Sequence, residues 1–315
     1  PALSIKPDEV KMLSGSGSVK EAKVQIKPAG AEAWELALEV DSWAAQVCDV
    51  SLEDIADNGA SATLRFTEND TETVSGRRLT DYYTKGRVTV TGTQGDRQVS
   101  DYATVTVYRE GLYVSGGLQG EPRVLTVRAE KGPDGTMKAS ELDLCFLTWN
   151  AQDEQVVADP SYLAENLEIG DAEGETDETS NLLAANNLIV SYDRVRPSNL
   201  SSCVYKIQMS KEVPGKAEES FRCTINMSIS YGEKSYEVDI PVVIKPAQME
   251  KSASWREEYE NCKRIINEYM PPEGRERKLA QLEKNKHYMG VQDLRMFRRE
   301  CWDIAHDALV KEAQD

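Results

Sequence analysis

Cysteine and histidine are scarce in this chain. Its 315 residues include six cysteines and two histidines. Six cysteines are too few for a disulfide scaffold. No Cys-x-x-Cys pair exists, and the nearest two thiols, Cys203 and Cys223, are far apart, so zinc held through cysteine is not expected. Both histidines, His287 and His306, lie in the C-terminal fifth. Cys301 and His306 would stand about 140° apart around a helix, so their side chains diverge and a Cys–His nucleophile is not expected. No Gly-x-Ser-x-Gly elbow, P-loop or His-Glu-x-x-His helix occurs. Paired carboxylates are the one catalytic device that composition leaves open. The chain also lacks any apolar run of the roughly 20 residues that a membrane span needs, so no membrane insertion is expected.

Positive charge is short as well, and unevenly so. The net charge is −17; from Glu250 onward 13 Lys/Arg face 14 Asp/Glu, and the preceding residues carry 24 basic against 40 acidic groups. Phosphate-rich partners need basic patches, so nucleic acid is not an expected partner, nor is an anionic membrane surface. Such acidity suits a soluble exported protein. The chain opens Pro1-Ala2-Leu3-Ser4 without a methionine, and is read as a mature or excised piece of something longer.

Period-two alternation is abundant. In the stretch from Lys85 to Gly117, Val88 and Val90 alternate with Arg87, Thr89 and Thr91. After a turn at Gly95-Asp96, Ala103, Val105 and Val107 alternate with Thr104, Thr106 and Tyr108. One row faces a core and one faces water, which predicts a hairpin of two half-buried strands. The same plan recurs at Phe221, Cys223, Ile225, Met227, Ile229 and Tyr231. It returns after Gly232-Glu233-Lys234 through Tyr236, Val238, Ile240, Val242 and Ile244. Further strands are expected at Ala2–Lys6, Glu21–Lys27, Trp34–Val40, Ser61–Thr67, Arg123–Glu130, Glu141–Trp149, Leu188–Asp193 and Cys203–Met209. Gly, Pro, Asn and Asp clusters punctuate them. Short strands without interleaved long helices indicate antiparallel sandwiches. A polar insertion, Glu165–Asn181, separates the two halves, and its acidic run from Glu168 to Glu178 is expected as a solvated loop.

Two such units, each closing on a long hairpin, resemble the immunoglobulin-like domains of bacterial surface and secreted proteins. Phe221-Arg222-Cys223 resembles the aromatic-x-Cys of an immunoglobulin F strand, and Cys145 falls roughly where a B-strand partner stands. Trp149 follows Cys145 too soon for the usual C-strand tryptophan, and the first unit holds Cys48 alone. Buried free thiols are the reading of Cys145, Cys203 and Cys223 from their strand-like surroundings; a Cys145–Cys223 or Cys203–Cys223 disulfide is the alternative. The resemblance covers about residues 1–247 and implies a fold without a ligand.

After Pro246 the period changes to that of a helix. Trp255, Tyr259, Cys262, Ile266 and Tyr269 form one stripe, and Ser254 with Glu257 reads as a capping box at its start. Pro271-Pro272-Glu273-Gly274 ends that helix, a charged one follows at Arg275–Asn285, and a third begins near Val291. Their apolar stripes are expected to close into a small core. Trp255, Tyr259 and Trp302 are the candidate partner-binding residues, for a protein or glycan ligand or for a downstream domain of the same polypeptide. Asp171, Glu173, Glu175 and Asp177 are candidate Ca²⁺ ligands, as hard carboxylate oxygens suit that ion; no other cofactor is expected.

The expected molecule is mainly β. Two tandem immunoglobulin-like sandwiches, 1–111 and 112–247, precede a C-terminal α-helical module, 248–315. The expected function is non-catalytic: an exported bacterial binding, adhesion or spacer protein, extracellular or on the cell surface. The alternative is an accessory region of a larger secreted enzyme or toxin whose catalytic domain lies outside this fragment.

Overall fold

The computed structural model describes residues 1–72, 78–115, 123–216, 218–247 and 253–314. The first sandwich contains β1 (Ala2–Lys6), β2 (Glu9–Leu13), β3 (Val19–Lys27), β4 (Glu35–Val40), β5 (Cys48–Glu53), β6 (Ser61–Glu68), β7 (Tyr83–Gln94) and β8 (Arg97–Tyr108). One sheet has the order β1-β3-β6-β5 and the other β2-β8-β7-β4. The N-terminal segment serves both: β1 runs antiparallel to β3, then β2 crosses over and lies parallel to β8. Alternation sets the core, where Val88, Val90, Val105 and Val107 pack with Val24, Leu64 and Phe66 of the facing sheet.

A short helix, α1 (Ser42–Val47), carries the chain from β4 to β5, with the Asp41 carboxylate accepting from the Ala44 N–H at 2.8 Å. It lies so close to β7 that a Cβ on Gly86 would stand 2.2 Å from Ala44 N. Only glycine leaves that space.

The second sandwich repeats the scheme with β9 (Gly111–Ser115), β10 (Leu125–Ala129), β11 (Ala139–Asn150), β12 (Gln155–Ala158), β13 (Glu168–Gly174), β14 (Leu188–Arg196), β15 (Ser202–Met209), β16 (Phe221–Tyr231) and β17 (Lys234–Pro246). Its sheets are β12-β11-β15-β14, with β9 also on β11, and β10-β17-β16-β13. Again the first strand is antiparallel in one sheet and the second, β10, is parallel to the last. Helix α3 (Asp177–Ala185) takes the place of α1, β12 is an added strand, and α2 (Pro160–Asn166) precedes β13. Two packed sheets of four or five strands in this order, with a cross-over between them, are the immunoglobulin-like sandwich. The fold is mainly β, as the alternation implies.

The run from Glu168 to Glu178, expected as a loop, is instead all of β13 and the start of α3, and the insertion Glu165–Asn181 around it begins in the end of α2. Strand β13 bonds to β16 along one edge only and exposes most of its side chains, so it has no apolar row to betray it. The acidic residues after it serve a helix start. Thr176 caps α3 and Asp177 and Glu178 occupy its first turn, where the helix dipole favours negative charge.

Two residues separate the sandwiches, and they face opposite ways. Arg109 Nε donates to Asp70 Oδ2 at 2.8 Å and Nη2 to Thr84 Oγ1 at 2.8 Å, both in the first unit. Glu110 accepts from Trp149 N at 2.9 Å and Tyr236 OH at 3.0 Å, both in the second. Tyr113 donates its hydroxyl to Arg109 O at 2.8 Å. Around this polar knot, Leu79, Tyr82 and Tyr108 pack against Tyr113, Cys145, Leu147, Trp149 and Val156.

Three helices follow: α4 (Ala253–Glu268), α5 (Arg275–Asn285) and α6 (Val291–Gln314). Helix α4 begins at Ala253, so Ser254 lies inside it and is not its N-cap. Helix α5 starts after Gly274, whose φ of 91° is left-handed backbone.

Candidate functional site

The helical module has a core of its own. Trp255, Cys262, Ile265 and Ile266 of α4 meet Leu282 of α5 and Leu294, Phe297, Cys301 and Ala305 of α6. The stripe brings the two predicted aromatics Trp255 and Tyr259 together, with rings stacked 5.1 Å apart at 11°. Trp255 is only 4% exposed and donates Nε1–H to Met289 O at 2.7 Å, while the Tyr259 hydroxyl bonds the Glu283 carboxylate. Trp255 therefore holds the module together.

Trp302 is placed differently. It follows the buried Cys301 by one position, about 100° around the helix, and this turns its ring out of the core. It stays 45% exposed, edge-to-face on Tyr269 at 5.2 Å and 68°, and Tyr269 is itself 47% exposed. Of the three candidate partner-binding residues, only Trp302 presents a largely open ring. The module carries an electrostatic link to the second sandwich: the Glu219 charge, foremost, raises the Tyr288 phenol above its ordinary value.

The four carboxylates read as Ca²⁺ ligands lie along one exposed run. Asp171 and Glu173 are on β13, Glu175 follows it with its N–H bonded to Arg222 O at 2.9 Å, and Asp177 opens α3. Among the described residues no three His, Cys, Asp or Glu side chains converge as a metal site would require. Asp171 and Glu173 border a cleft of about 790 Å³ between β13, α3 and β14.

All six cysteines are free and buried. Cys145 and Cys223 stand on β11 and β16, the strands that the immunoglobulin resemblance implies, yet they cannot pair. Leu144 and Phe146 point into the sandwich core with Cys223, whereas Cys145 points out toward Tyr113 and Leu147. Burial pushes the thiols of Cys48, Cys145 and Cys262 up to about 12, and those of Cys203, Cys223 and Cys301 to about 11. Such thiols are not nucleophiles at neutral pH. Cys301 is buried while His306 is exposed on α6, so the two do not meet.

The apolar-stripe reading overlooked the arginines. Arg295, Arg298, Arg299 and Trp302 recur at i, i+3, i+4 and i+7 along α6, the spacing of one helix face. With Arg264, Ile265 and Tyr269 they line a cleft of about 570 Å³.

No protein-family model and no curated protein matches the chain. Among solved structures it is similar to domains 5–6 of the S-layer protein SbsC, at 15% identity over 78% of this chain and 98% of that one, with a TM-score of 0.24. It is similar to the cadherin-like domains 1 to 4 of zebrafish RET at 13% identity, over 69% of this chain and 42% of that one, with a TM-score of 0.27. A SusE-like, surface-located polysaccharide-binding protein from Bacteroides thetaiotaomicron matches at 11% identity, over 78% of this chain and 34% of that one, with a TM-score of 0.23. The assignment of the fold rests on strand order and register, not on these likenesses.

Proposed function

We propose that the chain is a non-catalytic binding protein, exported and displayed outside the cell. In this reading the sandwiches 1–111 and 112–247 act as a stiff support and the domain 248–315 meets the ligand, a protein or a glycan. One observation carries the reading: the helical module completes its core while leaving Tyr269 and Trp302 outside it. Exposed aromatic rings beside arginines are typical of contact surfaces and are not needed for folding. The polar knot at Arg109 and Glu110 supports the spacer role, since it leaves no free linker between the sandwiches. The test is twofold. Antibody against the full chain should label intact, unpermeabilised cells. The purified chain should bind saturably to a member of a panel of immobilised glycans and matrix proteins. A cytoplasmic location, or turnover of a panel member, overturns the proposal.

A further inference from the structure

Four guanidinium groups gather along the cleft between α4 and α6, in a chain whose net charge is −17. A single carboxylate, Glu258, serves two of them, with Arg295 Nε at 3.1 Å from Oε1 and Arg298 Nε at 2.9 Å from Oε2. The second contact is an ion pair without a hydrogen bond: the Arg298 Nε–H is not aimed at Oε2, and both atoms are buried with no hydrogen-bond partner. Arg264 and Arg299 are exposed, and no ion pair or hydrogen bond of theirs is found among the described residues. Like charges at i, i+3 and i, i+4 repel and cost helix stability, so Arg295, Arg298 and Arg299 would each be relieved by an added anion.

The rest of the lining says what kind of anion. Ile265 forms an apolar floor, and Tyr269 and Trp302 stand as a half-exposed aromatic wall. A guanidinium fork matches carboxylate, sulfate and phosphate oxygens. An open indole or phenol face takes a flat apolar surface. The volume falls within the range of small-molecule clefts. A one-ring ligand keeps its charge within the screening length of about 8 Å from the arginines.

We propose that this cleft binds a small organic anion whose acid group is attached to a ring. The acid lies among Arg264, Arg298 and Arg299, and the ring rests on Trp302 and Tyr269. An acidic sugar and an aromatic acid share that chemistry. The inference deepens the binding reading above and rests on it.

The test uses the full chain and calorimetric titration with three probes: methyl glucuronide, phenyl phosphate and inorganic phosphate. At least one ring-bearing probe should bind saturably in the millimolar range or tighter, and the stronger of the two identifies the source. Inorganic phosphate should bind more weakly. The double variant Arg264→Gln/Arg299→Gln, which removes two exposed side chains outside the core, should melt as the parent does and lose at least about tenfold in affinity. Trp302→Ala should weaken the ring-bearing probe and leave inorganic phosphate unchanged. No saturable binding by either ring-bearing probe, or unchanged affinity in the double arginine variant, overturns the site. If the double variant keeps the parent's affinity for a glycan or matrix protein from the panel, this cleft is refuted as the site of that ligand and the binding reading stands. If the anions bind but nothing on the panel does, the cleft stands and the adhesive role falls.

Discussion

Arg109 Nε lies 2.8 Å from Asp70 Oδ2, and the two side chains are 2% and 0% exposed. A guanidinium and a carboxylate this far from water offset each other's desolvation cost, and Glu72 stands 3.2 Å from Arg109 Nη2 as a second, half-exposed partner. The pair sits where the first sandwich ends, so it ties the loop after β6 to the residue that begins the junction. Asp70→Ala is expected to destabilise the first sandwich by about 3–5 kcal/mol, read as a lower urea midpoint with unchanged slope. A change below about 1 kcal/mol would show that Glu72 or water compensates Arg109 once Asp70 is gone.

The two tryptophans of the helical module should respond differently. Trp255→Ala removes a buried ring and should cost about 3–5 kcal/mol. Trp302→Ala removes an exposed one and should cost under about 1 kcal/mol with helicity unchanged. Circular dichroism melts of both variants decide this. Equal losses would place Trp302 in the core.

The cysteines predict the alkaline behaviour. In the folded chain burial pushes all six thiols up to about 11 or 12 from 9.0. Between those values the unfolded chain releases thiol protons that the folded chain keeps, so it binds fewer protons and stability falls as pH rises. Stability should be flat with respect to these groups below about pH 8, then decline above pH 9 by up to about 1.4 kcal/mol per pH unit per thiol. Urea midpoints from pH 7 to pH 11 measure it. An aromatic disulfide reagent should titrate no thiol at pH 8 until denaturant is added.

Calcium should have little to hold. Asp171 and Glu173 point along an exposed edge strand, and Asp177 is engaged as a helix start. Titration with millimolar Ca²⁺ at physiological salt is expected to give no saturable heat, and Asp171→Asn with Glu175→Gln should change nothing. Saturable heat abolished by those substitutions would establish the ion site.

Much of the fold can be read from residue periodicity, and the exceptions have physical causes. Hairpins β7–β8 and β16–β17 are legible because each buries a mostly apolar row, with Val88, Val90, Ala103, Val105 and Val107 in the first and Cys223, Ile225, Met227, Ile229, Val238, Ile240 and Val242 in the second, against a mostly polar one. Strand β13 is illegible because it is an edge strand held by backbone bonds to β16 and buries almost nothing. Strand β5 shows the same weakness, since only Cys48 is fully buried along it. In the helical module the apolar stripe reveals the core but not the surface beside it. Trp302 counts toward that stripe by composition, yet its position after Cys301 turns it outward. The arginine cleft is readable only once α4 is known to lie against α6, because Arg264 is remote in sequence from Arg295, Arg298 and Arg299.

The parallel pairing of β2 with β8, and of β10 with β17, has a mechanical consequence. When the chain is pulled from its two ends, β2 is drawn one way by its N-terminus and β8 the other way by its C-terminus. The bonds that join Glu9–Leu13 to Thr104–Tyr108 then lie across the direction of pull and share the load in shear; they cannot open one at a time as in a hairpin peeled from its tip. The same holds for Leu125–Ala129 on Val242–Pro246. Each sandwich thus places a shear clamp between its second and last strands, and the two clamps stand in series along any line of tension through the molecule.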